Sequence, residues 1–494
     1  MLFNSPEFLF VFLPLTLLMT ACALAWRGRT AGVLLLTLAS LVFYGWWEAQ
    51  ALLIIGASIA LNFTLSRAIA AAPRGTVSRK WYLSVGIVAN LAALGFFKYA
   101  DFLVVNVAEL TGLQAAPLGV VLPLAISFYS FQQIAFLVDT YNAKMERIPF
   151  RDYMISVVFF PHLIAGPLLH YRDIIGQFES RFSVSWATIS AGMPIFAMGL
   201  AKKVAIADPI AQFVTPLFDQ AAVAPLSLFD AWAAALGYTA QLYFDFSGYS
   251  DMAIGLGLMY GITLPLNFFS PYKSTSIVEF WRRWHMTLSS FLRDYLYIPL
   301  GGSRVGPVRR YGNLMIVMVL GGLWHGAGWT FVFWGFLHGS YLVVNHLWRN
   351  QVSPYLGAID KLLLPVYASL TFVLVVVAWV FFRAPTFDVA LNVLSGMFAP
   401  ETVALPGELM TIGALAAIPG IAWGGQGMAY PDFVAFWTYA AVACVLAWGA
   451  PNSAQIFGLA GDGATRWRDR WSPAHWVAGV GLLWAACFGI FSAV

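Results

Sequence analysis

Long stretches of apolar residues, separated by short polar segments, dominate the chain from end to end. A membrane-spanning helix needs roughly 20 mostly apolar residues, because the hydrocarbon core of a bilayer is about 30 Å thick. Twelve stretches meet or approach this requirement: Phe8–Trp26, Ala31–Trp47, Ala51–Leu65, Trp81–Phe97, Leu118–Val138, Trp186–Ala201, Ala231–Phe244, Leu314–Asn345, Leu362–Phe382, Met410–Gly425, Phe433–Ala450 and Trp476–Val494. We therefore expect an all-α fold: a polytopic membrane bundle of about 11–13 helices, some of them re-entrant or interfacial.

Composition excludes other classes of protein. Hydrophobic residues make up 60% of the 494-residue chain and charged residues 10%, which is too few charges for a soluble surface or a disordered chain. The apolar runs are continuous, whereas a membrane β-barrel shows alternating segments. The net charge of +4 is small, so nucleic acid is not an expected partner. Without a linker or an internal repeat, residues 1–494 are predicted to form a single transmembrane domain.

The loop charges predict an orientation. Basic residues that follow the first and third helices are expected to face the cytoplasm by the positive-inside rule, which places the N-terminus outside. The segments 304–310 and 466–470 are then cytoplasmic, whereas Glu401, Glu408 and Val494 lie outside. Because Met1–Glu7 lacks the basic residues of a signal peptide, we expect the first helix to be retained.

His325 is the first candidate for chemistry. It lies in the motif LGGLWHGAG, inside an apolar stretch that is too long for one span. Gly326 and Gly328 predict a break directly after it, which would place the imidazole at a helix end, at membrane depth. A buried histidine bonded to a carbonyl group is the alternative, but we favour function because ionisable groups are costly in a membrane.

His285 is the second candidate. Residues Glu279–Tyr297 predict an amphipathic helix on the membrane surface, with His285 turned toward the protein and the charges toward water. The charged side includes Arg282, Arg283, Arg293 and Asp294. A helix that anchors the protein to the surface would explain the arginines equally well, but it explains His285 less well.

Two further segments carry polar groups. Asp245 and Asp251 lie between apolar runs in YFDFSGYSD, where they are either cavity groups or residues that begin a helix. In FFPHLIAGP, two prolines and a glycine predict a broken segment, and His162 is expected to be structural. Since the sequence has neither a His-Glu-x-x-His motif nor a cysteine cluster, we expect no metal site.

Several blocks together resemble the membrane-bound O-acyltransferase family, and more narrowly its members that acetylate alginate and other bacterial exopolysaccharides. They are MLFNSPEFLFVFLPL, LPLAISFYSFQQIAFLVDTY, FFPHLIAGPLLHYRD, YTAQLYFDFSGYSDMAIGLGLM, EFWRRWHMTLSSFLRDYLYIPLGG and GGLWHGAGWTFVFWG. These blocks extend from residue 1 to about residue 340, and the motif-bearing core is about 118–348. The resemblance implies a pair of active-site positions: the histidine that maps onto His325, and an upstream Asn or His that maps onto His285.

The resemblance also implies acetyl transfer from cytoplasmic acetyl-CoA, as donor substrate and with no bound cofactor, through a central pore or funnel of an inner-membrane protein. Periplasmic acetyltransferase partners would receive the group. His325 is then the expected base, and His285 would orient the substrate or donate to the oxyanion. The arginines would bind either CoA phosphate or the headgroups of membrane lipids. The remaining candidates for substrate contact are Trp324, Asp294, Asp245 and Asp251.

Two other functions stay open from the sequence. One is transfer of D-alanine to teichoic acid, which other members of the family carry out. The other is a transporter or flippase without enzymatic activity, since such a protein would also need polar residues inside the membrane.

Overall fold

The computed structural model describes residues 1–144, 148–164, 166–169, 171–424 and 427–459, without the side chains of Arg172 and Leu415. The predicted stretch Trp476–Val494 and the basic segment 466–470 lie outside these residues. The described residues group into two compact units. The first comprises residues 1–200 and 249–266, and the second comprises 201–248 and 267–459. The single domain remains a prediction.

The first unit is helical throughout its regular structure. Its helices are Phe8–Phe12, Leu13–Gly45, Ala51–Ala71, Val77–Leu94, Gly95–Tyr99, Ala100–Thr111, Ile126–Tyr141, Phe150–Val158, Phe160–Leu163, Tyr171–Ser180 and Trp186–Ala201, the last ending one residue inside the second unit. Leu13–Gly45 is kinked at Gly28, where φ is +75°, so the two apolar stretches predicted there are separate helical segments. Its core packs Tyr44, Ile55, Tyr129 and Tyr153 together.

The second unit is built from shorter and more often interrupted helices. They are Lys202–Ala207, Asp208–Ala221, Pro271–Lys273, Ile277–Arg283, Met286–Leu292, Arg293–Tyr297, Pro307–His325, Trp329–Gln351, Ser353–Leu356, Ala358–Leu362, Leu364–Arg383, Phe387–Met397, Pro400–Thr402, Gly407–Thr411, Gly413–Ala416, Tyr430–Cys444, Val445–Gly449 and Ser453–Ile456. The helix Leu228–Met259 begins in this unit and ends in the first. Two-residue strands, Ala404–Leu405 and Ala422–Trp423, pair in parallel.

Six described helical segments have the length and apolar composition needed to cross a membrane. They are Phe8–Gly45, Ala51–Ala71, Val77–Thr111, Trp186–Ala221, Leu364–Arg383 and Tyr430–Gly449. Together with the almost entirely helical secondary structure, they confirm a polytopic helical membrane protein.

The predicted apolar stretch Met410–Gly425 is not a membrane helix, which corrects the sequence-based assignment. Its described residues form short 3₁₀ and α turns and one strand of the small sheet. Pro419, Gly420 and Gly424 explain the difference, because proline and glycine disfavour a continuous helix more strongly than hydrophobicity favours one.

The two aspartates of YFDFSGYSD also differ from the prediction. Asp245 and Asp251 lie inside one continuous helix, Leu228–Met259, so the alternative that they begin a helix is wrong. An ion pair with Lys203, 2.6 Å from Nζ to Oδ1, provides Asp245 with a partner in mid-helix. Tertiary contacts of this kind override the weak helix propensity of Asp, Ser and Gly.

Candidate active site

His325 is positioned by a helical hairpin. The helix Pro307–His325 ends at this residue, and the next helix, Trp329–Gln351, begins after three residues of extended or turn backbone. The break predicted at Gly326 is therefore confirmed. His325 is half-buried, and its ring centroid lies 5.2 Å from that of Trp334 and 5.1 Å from that of Phe382.

Two glycines allow the hairpin to close this tightly. A Cβ atom on Gly322 would collide with the carbonyl oxygen of Phe331, and one on Gly335 would collide with that of Met318. Small residues permit close approach of packed helices in membrane proteins. The glycine crossing therefore brings the end of the first helix, with His325, against Trp334 of the second.

His285 is positioned by a break that the sequence does not predict. The expected amphipathic helix Glu279–Tyr297 is wrong as a continuous element, because it consists of Ile277–Arg283, Met286–Leu292 and a π-helical turn, Arg293–Tyr297. His285 has a φ of +41°, an uncommon left-handed conformation for a residue other than glycine.

An extended segment replaces the missing helical hydrogen bonds. The backbone N–H of Met286 donates to the carbonyl oxygen of Asn267 at 3.0 Å, and the N–H of Phe269 donates to that of Arg283 at 2.9 Å. The chain around His285 is thus held by residues about 18 positions upstream. His285 is only 1% exposed, which confirms that it points into the protein.

The two histidines meet on one aromatic side chain. The ring centroid of Trp324 lies 4.9 Å from that of His325 and 6.3 Å from that of His285. Phe246 closes the other side of His285, at 4.8 Å and perpendicular to its ring. Three of the residues selected from the sequence, His285, His325 and Trp324, therefore form one cluster.

A third imidazole, His338, contacts Trp334, as His325 does, and was not selected from the sequence. Its Nδ1 accepts a hydrogen bond from Trp281 Nε1 at 3.3 Å, and its ring centroid lies 4.8 Å from that of Trp334. Since an indole N–H only donates, the proton of neutral His338 is on Nε2. The signal available in the sequence was weak, because His338 is one polar residue in an aromatic helix.

The charged candidates separate into paired and unpaired groups. Arg283 is bound to Glu279 at 2.7 Å, and Arg293 to its neighbour Asp294 at the same distance. Within the described part of the chain, Arg282 has no ion-pair partner, and it lines a cavity of about 680 Å³.

The two aspartates of the Leu228–Met259 helix lie in different units. Asp245 is bound by Lys203, and Asp251 is buried in the first unit. Over the described ranges, no group of three His, Cys, Asp or Glu side chains is arranged to hold a metal ion.

Comparison with known proteins places this cluster in a recognised sequence family. Residues 82–361, which include the three histidines, match the membrane-bound O-acyltransferase family. The chain is 42% identical to the peptidoglycan O-acetyltransferase of Helicobacter pylori, over 82% of this chain and 81% of that protein. It is 44% identical to the probable alginate O-acetylase AlgI of Azotobacter vinelandii, over 81% and 78%.

More distant similarity extends to a third activity. The teichoic acid D-alanyltransferase of Streptococcus thermophilus is 25% identical over 46% of this chain and 58% of its own length. The similarity to the two acetylating proteins is thus both higher and longer.

Proposed function

Because the chain belongs to the membrane-bound O-acyltransferase family and is therefore an O-acyltransferase embedded in the membrane, we propose that it transfers acetyl groups from acetyl-CoA to hydroxyl groups of an extracytoplasmic polysaccharide. The names of the relatives support the acetyl group, since both the alginate and the peptidoglycan proteins are O-acetylating. The observation that carries the proposal is the meeting of His285 and His325 on Trp324 within the family-matched segment.

Two imidazoles suit the chemistry of acyl transfer. A hydroxyl group is a poor nucleophile until a neutral base takes its proton, and the attacked thioester carbonyl develops negative charge that an N–H donor stabilises. His325 and His285 can divide these two tasks between them. Trp324, Trp334 and Phe382 pack around His325 and limit the access of water to it, which favours transfer over hydrolysis of the thioester.

Arg282 is the best-placed candidate for binding the donor. Its cavity, about 680 Å³, has the size of a small-molecule site, and Arg349 also lines it. Arg283 and Arg293 already neutralise carboxylates, whereas the guanidinium of Arg282 is available for a phosphate group. Tyr341 lines the cavity, and its ring centroid lies 5.8 Å from that of His338. The cavity therefore adjoins the aromatic residues that surround the histidines.

The proposal includes a direction across the membrane. Acetyl-CoA is cytoplasmic and the polysaccharide is not, so a central pore would pass the acetyl group through the bacterial inner membrane to periplasmic acetyltransferase partners. The charge pattern of the early loops supports a periplasmic N-terminus. The acceptor class is a glycan hydroxyl, which alginate and peptidoglycan share.

The direct test uses purified protein in detergent and acetyl-labelled CoA. We expect the wild type to consume the thioester when the polysaccharide or its partner acetyltransferase is present, and His325→Ala to insert and fold without doing so. Normal acetylation by His325→Ala would end the proposal. Transport of polymer without consumption of thioester would indicate a flippase, and use of a D-alanyl carrier in place of acetyl-CoA would indicate a D-alanyltransferase.

A further inference from the structure

The hydrogen bonds of Asn267 determine which nitrogen of His285 carries a proton. Asn267 Oδ1 lies 3.0 Å from His285 Nδ1, 2.9 Å from Thr287 Oγ1 and 3.4 Å from the backbone nitrogen of Thr287. A backbone N–H only donates, so the atom that faces it is the carbonyl oxygen of the amide and not its nitrogen. Because that oxygen only accepts, Nδ1 of His285 must be the donor.

The other ring nitrogen is therefore a free acceptor. In the neutral imidazole the second nitrogen, Nε2, has no proton and offers its lone pair. Nε2 is fully buried and finds no hydrogen-bond partner among the residues that the structure describes. A buried polar atom left without a partner costs about 1–3 kcal/mol, which suggests that a donor absent from the protein itself completes this bond.

The surroundings keep this ring neutral. His285 lies outside the six candidate spans, and burial, followed by the nearby His325, lowers its pKa well below the ordinary histidine value. The helix Leu228–Met259 contributes Phe246 to its faces, and the helix Pro307–His325 contributes Trp324 and His325. His325 is the one titratable group in the described residues that acts on its charge, and no carboxylate opposes the effect.

The backbone reinforces this arrangement. The backbone carbonyl group of Asn267 accepts a hydrogen bond from the N–H of Met286, and its side-chain oxygen accepts one from the ring of His285. Asn267 therefore holds the left-handed residue through both its main chain and its side chain. A left-handed histidine costs free energy and persists only where its surroundings hold it.

We propose that Asn267 is a positioning residue that holds His285 with an unprotonated Nε2 facing the acceptor hydroxyl, and that His285, not His325, takes the proton of that hydroxyl. This inference rests on the proposed function. As the hydroxyl oxygen bonds to the acetyl carbonyl carbon, its proton moves to Nε2. The carbon–sulfur bond then breaks, and the departing thiolate takes that proton, which leaves CoA as its thiol and His285 neutral. A ring N–H of His325 donates a hydrogen bond to the carbonyl oxygen of the thioester, where negative charge develops.

Three variants of the full-length protein test this role: Asn267→Asp, Asn267→Leu and Thr287→Val. An aspartate still accepts from Nδ1 but adds a negative charge that favours the imidazolium, so the pH at which activity is lost on acidification should rise by about one unit or more. Raising the pH should restore the rate of Asn267→Asp. Asn267→Leu releases the tautomer and should lower kcat roughly 100-fold or more, with little change in KM for acetyl-CoA.

Thr287→Val is the matched control, since it removes another hydrogen bond to the same oxygen and should keep kcat within about threefold of the wild type. If Asn267 only anchors the loop, kcat would fall by a similar factor in Thr287→Val and Asn267→Leu. The pH profile of Asn267→Asp would then match that of the wild type. Either result, or an Asn267→Asp variant that high pH does not rescue, would overturn the inference.

The pH profile of Asn267→Asp decides the question if Asn267→Leu fails to fold. A wild type that does not use acetyl-CoA contradicts the proposed function instead. An active wild type with an unshifted Asn267→Asp profile contradicts only the role of Asn267.

Discussion

Two broken helical segments each carry a buried histidine that is preceded by aromatic residues. In the first unit, helix Phe150–Val158 ends before FPHL, where His162 is 3% exposed. In the second unit, the chain breaks at Trp284 and His285, which is 1% exposed. Both histidines follow an aromatic run, and both leave regular helix geometry nearby.

The difference lies in their hydrogen bonds. Nε2 of His162 lies 3.1 Å from the carbonyl oxygen of Ser156, six residues upstream in the preceding helix. Nε2 of His285 is buried without a partner among the described residues. The hydrogen bond of His162 to the backbone stabilises the structure at the break in its helix. The unpaired Nε2 of His285 can instead accept a hydrogen bond from a bound substrate. Burial and helix breaks alone therefore do not distinguish these two histidines, but their hydrogen-bond partners do.

The largest expected effect separates these two segments in activity. His285→Ala should lower the rate of acetyl transfer per folded molecule by roughly 10²–10⁴, the usual contribution of acid–base catalysis. His162→Ala serves as the comparison and should keep its rate per folded molecule. Equal loss of rate in the two variants would show that the distinction drawn from their partners is false.

The second effect tests how the hairpin positions His325. Gly335→Ala places a Cβ against the carbonyl oxygen of Met318, so the helices must move apart and His325 loses its contact with Trp334. We expect a loss of stability of about 1–3 kcal/mol and a rate lowered by about tenfold or more, since small misplacements are costly.

Gly312→Ala is the matched control, because it lies in the same hairpin and its added Cβ meets no atom within 4 Å. It should behave as the wild type in both thermal unfolding and acetyl-transfer assays. A Gly335→Ala enzyme with full activity would show that the close crossing does not position the site.

The third effect compares two neighbouring arginines, one with an ion-pair partner and one without a partner among the described residues. Arg282→Ala should raise the KM for acetyl-CoA about tenfold, the value of one charge-assisted hydrogen bond, with kcat nearly unchanged. Arg283→Ala removes the ion pair with Glu279 and should alter KM less than threefold. Initial rates over a range of acetyl-CoA concentrations measure both, and a larger KM effect at Arg283 would refute the assignment.

The smallest effect on activity is expected in the first unit. His162→Ala leaves the carbonyl group of Ser156 without its partner, which should cost about 1–3 kcal/mol in stability. Thermal unfolding in detergent measures this loss, and the activity of the folded fraction should be unchanged. If His162→Ala lost activity without losing stability, His162 would belong with the reactive histidines.

Local patterns were sufficient for several features of the site. The glycines after His325 predicted the break that places it at a helix end, and the apolar neighbours of His285 predicted its burial. The same reasoning was wrong about the continuous helix Glu279–Tyr297. A helical period describes contacts within one segment, and here an upstream segment supplies the hydrogen bonds in place of the next helical turn.

By itself, the sequence determined that this protein is a bundle of membrane helices of the O-acyltransferase family, and it selected His285 and His325 as the candidates for chemistry. The length of apolar stretches, glycine breaks and family motifs are local properties of the chain, so they can be recognised from the linear sequence. Only the tertiary structure decided that Trp324 joins the two imidazoles, that Asn267 holds a proton on Nδ1 of His285, and that Arg282 is available whereas Arg283 is not. These are pairings between residues that different segments bring together, and hydrophobic burial, which is non-directional, does not specify which polar groups will meet.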